Sequence, residues 1–442
     1  MEMNSYSAEL LAKLFNMLNE LADYAVLRNF EGLPEHNHSR DIDIAIRMRD
    51  YKRVKPRIVD LINENGWKIV TYLNSDRLVT FVVGRLDSAH NTELIQLDFF
   101  FNTSVFGIEL LSAEELLRNR EFNGKIYYPN ISVQFLDKYL YDRAVGAAYP
   151  EKYSATRAAA ENSQTVKDKL RRLFRCGSAD ECDKTSGRKL LMRAAGYNML
   201  HRPLGFIAGL ANFLRTFVGN YIGSRTGFSI GFTGPDGSGK TTVIDRTVER
   251  LGAVFASAHA YYHFRPALFG NLGEVAHSAG IKKEVDRNYD KPHRGGKTGM
   301  LSSLVRLAYY SIDYIVGYFV KVKSKTRITR LVIFDRYYTD IICDSRRSRI
   351  YLNHRFLYWF GRIFIPSLDY NILLTASTET ILSRKRELDA AGIETINRKI
   401  EYLSTKSGYY KILNESTPDA AVTQILQIVF ERQHRNNLKR LI

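Results

Sequence analysis

Apolar residues recur every three or four positions over 7–21, and that spacing predicts an amphipathic helix. A short apolar strand from Tyr24 to Leu27 follows, then a polar loop containing Gly32, Pro34 and Asn37. The alternation DIDIAI (41–46) predicts a strand with one buried face, 50–64 returns to a helical period, and 67–73, 78–83 and 92–100 are strand candidates rich in Val, Ile, Thr and Phe. Residues 1–105 thus form a small α/β or α+β domain. Residues 106–225 are mostly helical in pattern, and Ser112 followed three positions later by Glu115 marks a helix start. Their stretch 171–189 mixes basic residues with Gly, Ser and Asp and is expected to be a surface loop or linker. Residues 226–442 alternate strands (FSIGFTG, AVFASAH, LVIFD, YNILLTA, YYKIL) with helices, the pattern of a parallel sheet with crossover helices.

A chain of 442 residues has room for about three domains at roughly 150 residues each, in line with those three regions. At 45% hydrophobic and 25% charged it is globular in composition, and Cys176, Cys182 and Cys343 form neither a disulfide framework nor a zinc knuckle. No basic segment followed by an apolar run opens the chain, and the apolar stretches near 204–223 and 301–320 are interrupted by charge. The expectation is a cytoplasmic protein, with peripheral attachment at the inner membrane face left open.

Sixty-four Lys and Arg against 47 Asp and Glu give a net charge of +17, unevenly placed. Residues 1–100 hold 12 basic and 15 acidic residues, whereas 151–230 hold 14 and 6. The basic segment reads either as a solvated helical face or as a surface for an anionic polymer or membrane. No DNA- or RNA-reading motif accompanies the charge, so nucleic acid is not an expected partner. The apolar-basic stretch 202–223 reads as a packed helix joining two domains or as a membrane-surface helix.

The most specific motif is GPDGSGKT (234–241), preceded by an apolar strand and followed by a helical pattern. Gly234, Gly237 and Gly239 allow backbone N–H groups to turn towards phosphate oxygens, with Asp236 and Ser238 between them. Lys240 supplies charge to the outer phosphates, Thr241 a hydroxyl for Mg²⁺, and Thr242 continues into a helix whose positive end faces the anion. ATP and Mg²⁺ are the expected cofactors. A second motif, Asp335-Arg336-Tyr337, closes the apolar strand LVIFD: Asp335 is placed to hold Mg²⁺ or accept a proton, and Arg336 to clamp an anionic acceptor. A third, ILSRKREL, puts Arg384, Lys385 and Arg386 after a strand, where a lid would close over transition-state charge.

In this order and spacing, over roughly 228–430, the three motifs resemble the thymidylate kinase-like group of P-loop kinases. The resemblance implies a P-loop NTPase parallel sheet with flanking helices. It also implies that Asp236 lies near the acceptor's sugar hydroxyl and that Arg336 approaches the acceptor phosphate. The phosphate loop has no arginine of its own, so the lid, through Arg384 or Arg386, is left to supply one. The Arg-Glu-Pro-Gly-Gly stretch of true thymidylate kinases is replaced by YYHFRPALFG (261–270), in which Arg265 becomes the candidate grip on an anionic acceptor. Arg346, Arg347 and Arg349 read either as a basic surface helix or as contacts to an acceptor larger or more anionic than a mononucleotide.

Asp41 and Asp43 share one face of a strand, and Asp98 ends another, which is the requirement of a two-metal site. Over about 20–105 this resembles the nucleotidyltransferase superfamily. The Gly-Ser or Gly-Gly expected before the paired acids is replaced by Arg28 and Asn29, so the site reads either as catalytic with Arg28 on phosphate or as having lost catalysis. A nucleotidyltransferase-like domain joined to a thymidylate kinase-like domain resembles bacterial proteins of surface-glycan synthesis. The leading expectation is a Mg²⁺- and ATP-dependent phosphotransferase acting on a nucleotide, sugar or glycan acceptor. The alternative is a metal-dependent nucleotidyltransferase with the P-loop domain as a nucleotide switch.

Overall fold

The computed structural model describes residues 5–37, 39, 41–87, 91–222, 226–255, 259–266, 268, 299–327, 330–385 and 387–441. The chain divides into two compact units, Met1–Arg85 with Glu93–Ser224 and Gln433–Ile442, and Leu86–Thr92 with Arg225–Arg432.

In the first unit, strands β1 (Tyr24–Val26), β2 (Asp41–Ile46), β3 (Lys68–Asn74), β4 (Leu78–Leu86) and β5 (Thr92–Phe100) form one sheet in the order β1-β2-β5-β4-β3. The β1–β2 and β3–β4 pairs are antiparallel and β2–β5 is parallel. The DIDIAI alternation sorts its two faces as its period demands. Ile42, Ile44 and Ile46 enter a core with Leu10, Leu14 and Leu18 of helix Ser5–Leu21 and with Val54, Ile58 and Ile62 of helix Met48–Glu64. Ala45, on the Asp41 and Asp43 side, joins a second core with helices Ile131–Val145, Gln164–Phe174 and Gly187–His201. Two hairpins, β6 (Asn102–Val105) with β7 (Ile108–Ser112) and β8 (Glu121–Phe122) with β9 (Tyr127–Tyr128), lie between. Ser112 and Glu115 form the expected reciprocal cap.

The segment 171–189 is not a linker. It completes one helix, adds the short helix Ala179–Asp183 and starts a third, with Cys176 and Cys182 buried in the second core. Its glycine content misled: Gly187 lies where a Cβ would sit 2.6 Å from the carbonyl oxygen of Arg143, so it serves close helix packing rather than a loop.

In the second unit, β10 (Phe228–Thr233), β11 (His259–His263), β12 (Leu331–Asp335), β13 (Tyr370–Thr375) and β14 (Tyr409–Leu413) make a wholly parallel sheet in the order β11-β12-β10-β13-β14. β10, β12 and β13 are buried at every position, as a sheet covered on both faces requires. The chain starts in the middle at β10, crosses to the edge strand β11, returns to place β12 between them and then adds β13 and β14 on the other side, so a crevice is expected at the carboxyl ends beside β10, where the direction reverses. The expected strand AVFASAH shifts: helix Lys240–Phe255 runs through its first three residues and the strand is His259–His263. Val243, Ile244, Leu251 and Phe255 carry a helical period on to the ring of Phe228, 5.9 Å from that of Phe255, and this overrides the short apolar run. All three cysteines are free and buried. Among the described residues no helix is long and apolar enough to cross a membrane.

Candidate active site

The phosphate loop leaves β10 at its buried carboxyl end and turns into helix Lys240–Phe255. Gly237 and Gly239 adopt φ of +89° and +84°, a region that glycine enters without a Cβ penalty. Lys240 is 6% exposed, and its Nζ donates to the carbonyl oxygens of Gly234 and Pro235 at 2.8 Å each. Burial, reinforced by the charge of Arg336, lowers its pKa to about 8. A bound phosphate would add negative charge beside this ammonium, which already faces Asp236 at 3.8 Å. Ser238 Oγ is buried without a hydrogen-bond partner, while Asn414 Nδ2 secures the loop by donating to Ser238 O at 2.9 Å. Thr241 and Thr242 are exposed on the first turn of the helix.

Asp335 ends β12 beside this loop. Its Oδ2 faces His263 Nδ1 at 3.1 Å and the Tyr261 hydroxyl at 3.4 Å, and its Oδ1 is buried without a hydrogen-bond partner. Burial works to raise its pKa, but the hydrogen bond from His263 and the charges of Arg336 and Lys240 outweigh it and hold the carboxylate below its usual value. Asp335 Oδ1, which accepts no hydrogen bond among the described residues and faces Arg336 Nη1 at 3.6 Å, and the Thr241 hydroxyl on the first helix turn are hard oxygen donors of the kind Mg²⁺ takes, so Asp335 and Thr241 fit the ion.

Arg336 sits at φ +71°, outside the ordinary range for a residue with a Cβ, with its N–H on Phe232 O at 2.9 Å. That conformation turns the guanidinium back over the loop, where Nη2 donates to Asp236 Oδ1 at 2.6 Å. Arg347 donates to the other oxygen of the same carboxylate. Asp340 lies 3.6 Å from Arg336 and 3.9 Å from Arg347, and burial raises its pKa to about 6 despite both arginines. Of the three downstream arginines, Arg347 alone is drawn onto Asp236; Arg346 is exposed and 4.0 Å from Asp389. Arg265 is buried, with Nη1 on Asp313 Oδ2 at 3.0 Å and the guanidinium over the Tyr310 ring at 5.0 Å.

The lid residue Arg384 ends helix Thr378–Arg384 and donates to Asn414 O at 3.0 Å. A Cβ added to Gly239 would come within 4.0 Å of Arg384 Nη1, and one added to Gly237 within 3.3 Å of Lys385 Cβ, so the lid's basic residues overlie the phosphate loop. Arg386, expected to share this role, lies outside the described residues.

In the first unit, Asp41, Asp43 and Asp98 each offer an oxygen, and the three oxygens lie within 4.8 Å of one another. Asp43 and Asp98 are register partners across β2 and β5. Burial, then the neighbouring Asp43 charge, raises the pKa of Asp98 to about 7, although Thr80 and Gln96 donate to it. Carboxylate oxygens in such a group suit Mg²⁺ or Mn²⁺. Arg28 already answers part of the charge: it donates to Asp43 at 2.5 Å and to Asp137 at 2.7 Å.

Asp313, Asp340, His263 and Asn414 were not singled out from sequence. An aspartate inside the apolar run 301–320 and another five residues past Asp335 were available signals; His263 and Asn414 had none, because only strand pairing and the packing of the unit bring them to the loop.

No protein-family model matches the chain, and no curated protein matches it. Among solved structures it is similar to a thymidylate kinase from Ehrlichia chaffeensis, at 14% identity and a TM-score of 0.31, covering 46% of this chain and 98% of that one. It is also similar to a deoxyadenosine kinase from M. mycoides, at 17% identity and a TM-score of 0.27, again covering 46% of this chain and 98% of that one. Likeness at these scores carries no argument about activity, which rests on the residues described above.

Proposed function

We propose that the second unit is a Mg²⁺- and ATP-dependent phosphotransferase acting on a nucleotide, sugar or glycan acceptor, with a role in surface-polysaccharide synthesis. The observation that carries this reading is the convergence of Arg336 and Arg347 on Asp236 of the phosphate loop, beside the buried Lys240. In it, Lys240, Ser238 and the amides of Gly234, Gly237 and Gly239 bind the ATP phosphates, with Thr242 supporting the same helix turn. Thr241 and Asp335 hold Mg²⁺, which neutralises charge on the phosphates when bound. Arg336 and Arg347 turn from Asp236 to the anionic acceptor, leaving Asp236 to orient the acceptor hydroxyl. Arg265, fixed by Asp313, is assigned to the acceptor side with them. Arg384, joined by Arg386, faces the charge that develops on the transferring group and helps exclude water.

A second reading, metal-dependent nucleotidyl transfer at Asp41, Asp43 and Asp98 with the P-loop unit as a nucleotide switch, is favoured by the closeness of their oxygens. One assay separates the two. Purified protein with Mg²⁺ and ATP is supplied in turn with dTMP, sugar phosphates and glycan acceptors, and the nucleotide products are resolved. ADP formed in an acceptor-dependent way supports the kinase reading and identifies the acceptor class. Pyrophosphate release with the AMP moiety transferred to the acceptor, retained in a Lys240→Ala variant, would replace it with the second.

A further inference from the structure

The helical segments Met300–Gly317, Tyr318–Lys323 and Ser324–Thr326 follow one another without a break, and their polarity is inverted. The buried side carries Ser303, Ser311 and Asp313 beside Leu307, Tyr314 and Tyr318. The outer side carries Leu301, Val305, Ala308, Ile312, Val316 and Phe319, spaced three or four apart and therefore in one stripe. Leu301 is 77% exposed, and Val305, Ile312 and Phe319 are each more than half exposed. A surface helix ordinarily turns such a stripe inward.

Helix His354–Phe364 repeats the pattern, with Leu357 and Gly361 buried and Phe356, Trp359, Ile363 and Phe364 exposed. The two helices belong to one layer of the second unit. Tyr338 packs its ring 5.8 Å from that of Tyr314 on the first and donates to Leu357 O on the second, and Tyr351, just before the second, donates its N–H to Ser303 of the first. The charges that border this apolar layer have one sign. Lys323 follows the stripe with its ammonium over the Phe319 ring at 5.4 Å, and Arg355 and Arg362 are exposed on the other helix, while Lys321 and Lys325 donate to Pro266 O and the Tyr262 hydroxyl. The one acid on either helix, Asp313, is buried and held by Arg265.

We propose that these two helices seat the second unit on an anionic lipid bilayer, with the stripe and the Trp359 ring entering the headgroup boundary and Lys323, Arg355 and Arg362 meeting the phosphates. The one-signed border favours this occupant over a second copy of the chain, because a self-complementary twofold contact would bring like charges together. The surface is independent of the chemistry at the phosphate loop.

The test is flotation of the full-length protein with vesicles of phosphatidylcholine alone and of phosphatidylcholine with phosphatidylglycerol at about three to one. Binding to the mixed vesicles is expected, weakened by added salt and weaker still on phosphatidylcholine alone. Leu301→Glu with Ile312→Glu, and separately Trp359→Glu, are expected to cut partitioning roughly tenfold or more with Tm unchanged. Absence of flotation with the mixed vesicles overturns the proposal. So does flotation lost on Lys323→Glu with Arg362→Glu but kept in the apolar variants, which is adsorption by charge alone. A fall in Tm in the Leu301/Ile312 variant means that another segment of this chain covers the stripe. A dimer by light scattering that this variant dissolves, without flotation, means that a second copy does.

Discussion

The two candidate sites join the same side chains around opposite hubs. In the first unit one guanidinium, Arg28, is shared by two carboxylates, Asp43 and Asp137, with Asp41 and Asp98 close by. In the second, one carboxylate, Asp236, is shared by two guanidinia, Arg336 and Arg347, with Lys240 3.8 Å away. The first arrangement gathers buried carboxylates, and burial, then the Asp43 charge, raises the pKa of Asp98. The second adds Asp335 and Asp340 beside Arg336, and Asp340 and Asp344 beside Arg347, so its charges are matched, and an arriving anion would have to displace Asp236 from the arginines, freeing it for another partner. The shared hub and its burial, rather than residue type, distinguish the two sites.

The largest expected effect separates the sites outright. Lys240→Ala should lower acceptor-dependent ADP formation by about a thousandfold or more, whereas Asp43→Asn should change it less than about twofold. Equal losses in steady-state assays would make the two sites one machine and break the contrast. Removing the shared partner comes next. Arg28→Ala leaves two buried carboxylates, Asp43 and Asp137, without their shared guanidinium and should cost about 2–4 kcal/mol in urea unfolding. Arg347→Ala strips counter-charge from buried Asp340 and Asp344 and should cost a similar amount, and it should in addition lower kcat/KM for the acceptor by about a hundredfold.

Asp98 gives a pH test of smaller size. Its pKa is about 7 in the fold against an ordinary value of 3.8, so the native state binds the extra proton between those values and stability falls as pH rises through that window. Asp98→Asn should remove that slope, gaining about 2–3 kcal/mol at pH 8 and almost nothing near pH 4. For Lys240 the sign concerns ligand binding. With a pKa of about 8 in the free protein, it is charged below that pH and loses its proton above it. ATP affinity measured by calorimetry should therefore be flat below pH 8 and fall about tenfold per unit above it, with proton uptake on binding. The smallest effect sharpens the arginine assignment: Arg346→Ala should leave kcat/KM within about twofold, since its side chain is exposed.

Much of the second unit was legible in sequence because its signals are contiguous. GPDGSGKT contains strand end, loop and helix start in eight residues, and an apolar strand ending in Asp335-Arg336 announces both its register and its chemistry. The acidic group of the first unit was legible for a different reason: the period of two in DIDIAI places Asp41 and Asp43 on one face whatever the register. The pairing of β2 with β5, which sets Asp43 opposite Asp98, is a non-local choice that no window along the chain contains.

The sequence by itself determined the alternation that buries Ile42, Ile44 and Ile46, the glycines that let the phosphate loop turn, and the presence of two acidic-basic motifs, because these depend on backbone stereochemistry and short-range period. It misread 171–189 and 253–255, where glycine and a short apolar run have two meanings that packing must choose between. The tertiary structure alone decided that Arg347 reaches Asp236, a partner 111 residues away, while Arg346 beside it stays in solvent. It also decided that Arg28 is spent on Asp43 and Asp137, and that a helix carries its apolar stripe outward. Each of these depends on which surfaces meet, and the free energy of burying or pairing a charge is set by the neighbours the fold supplies rather than by those along the chain.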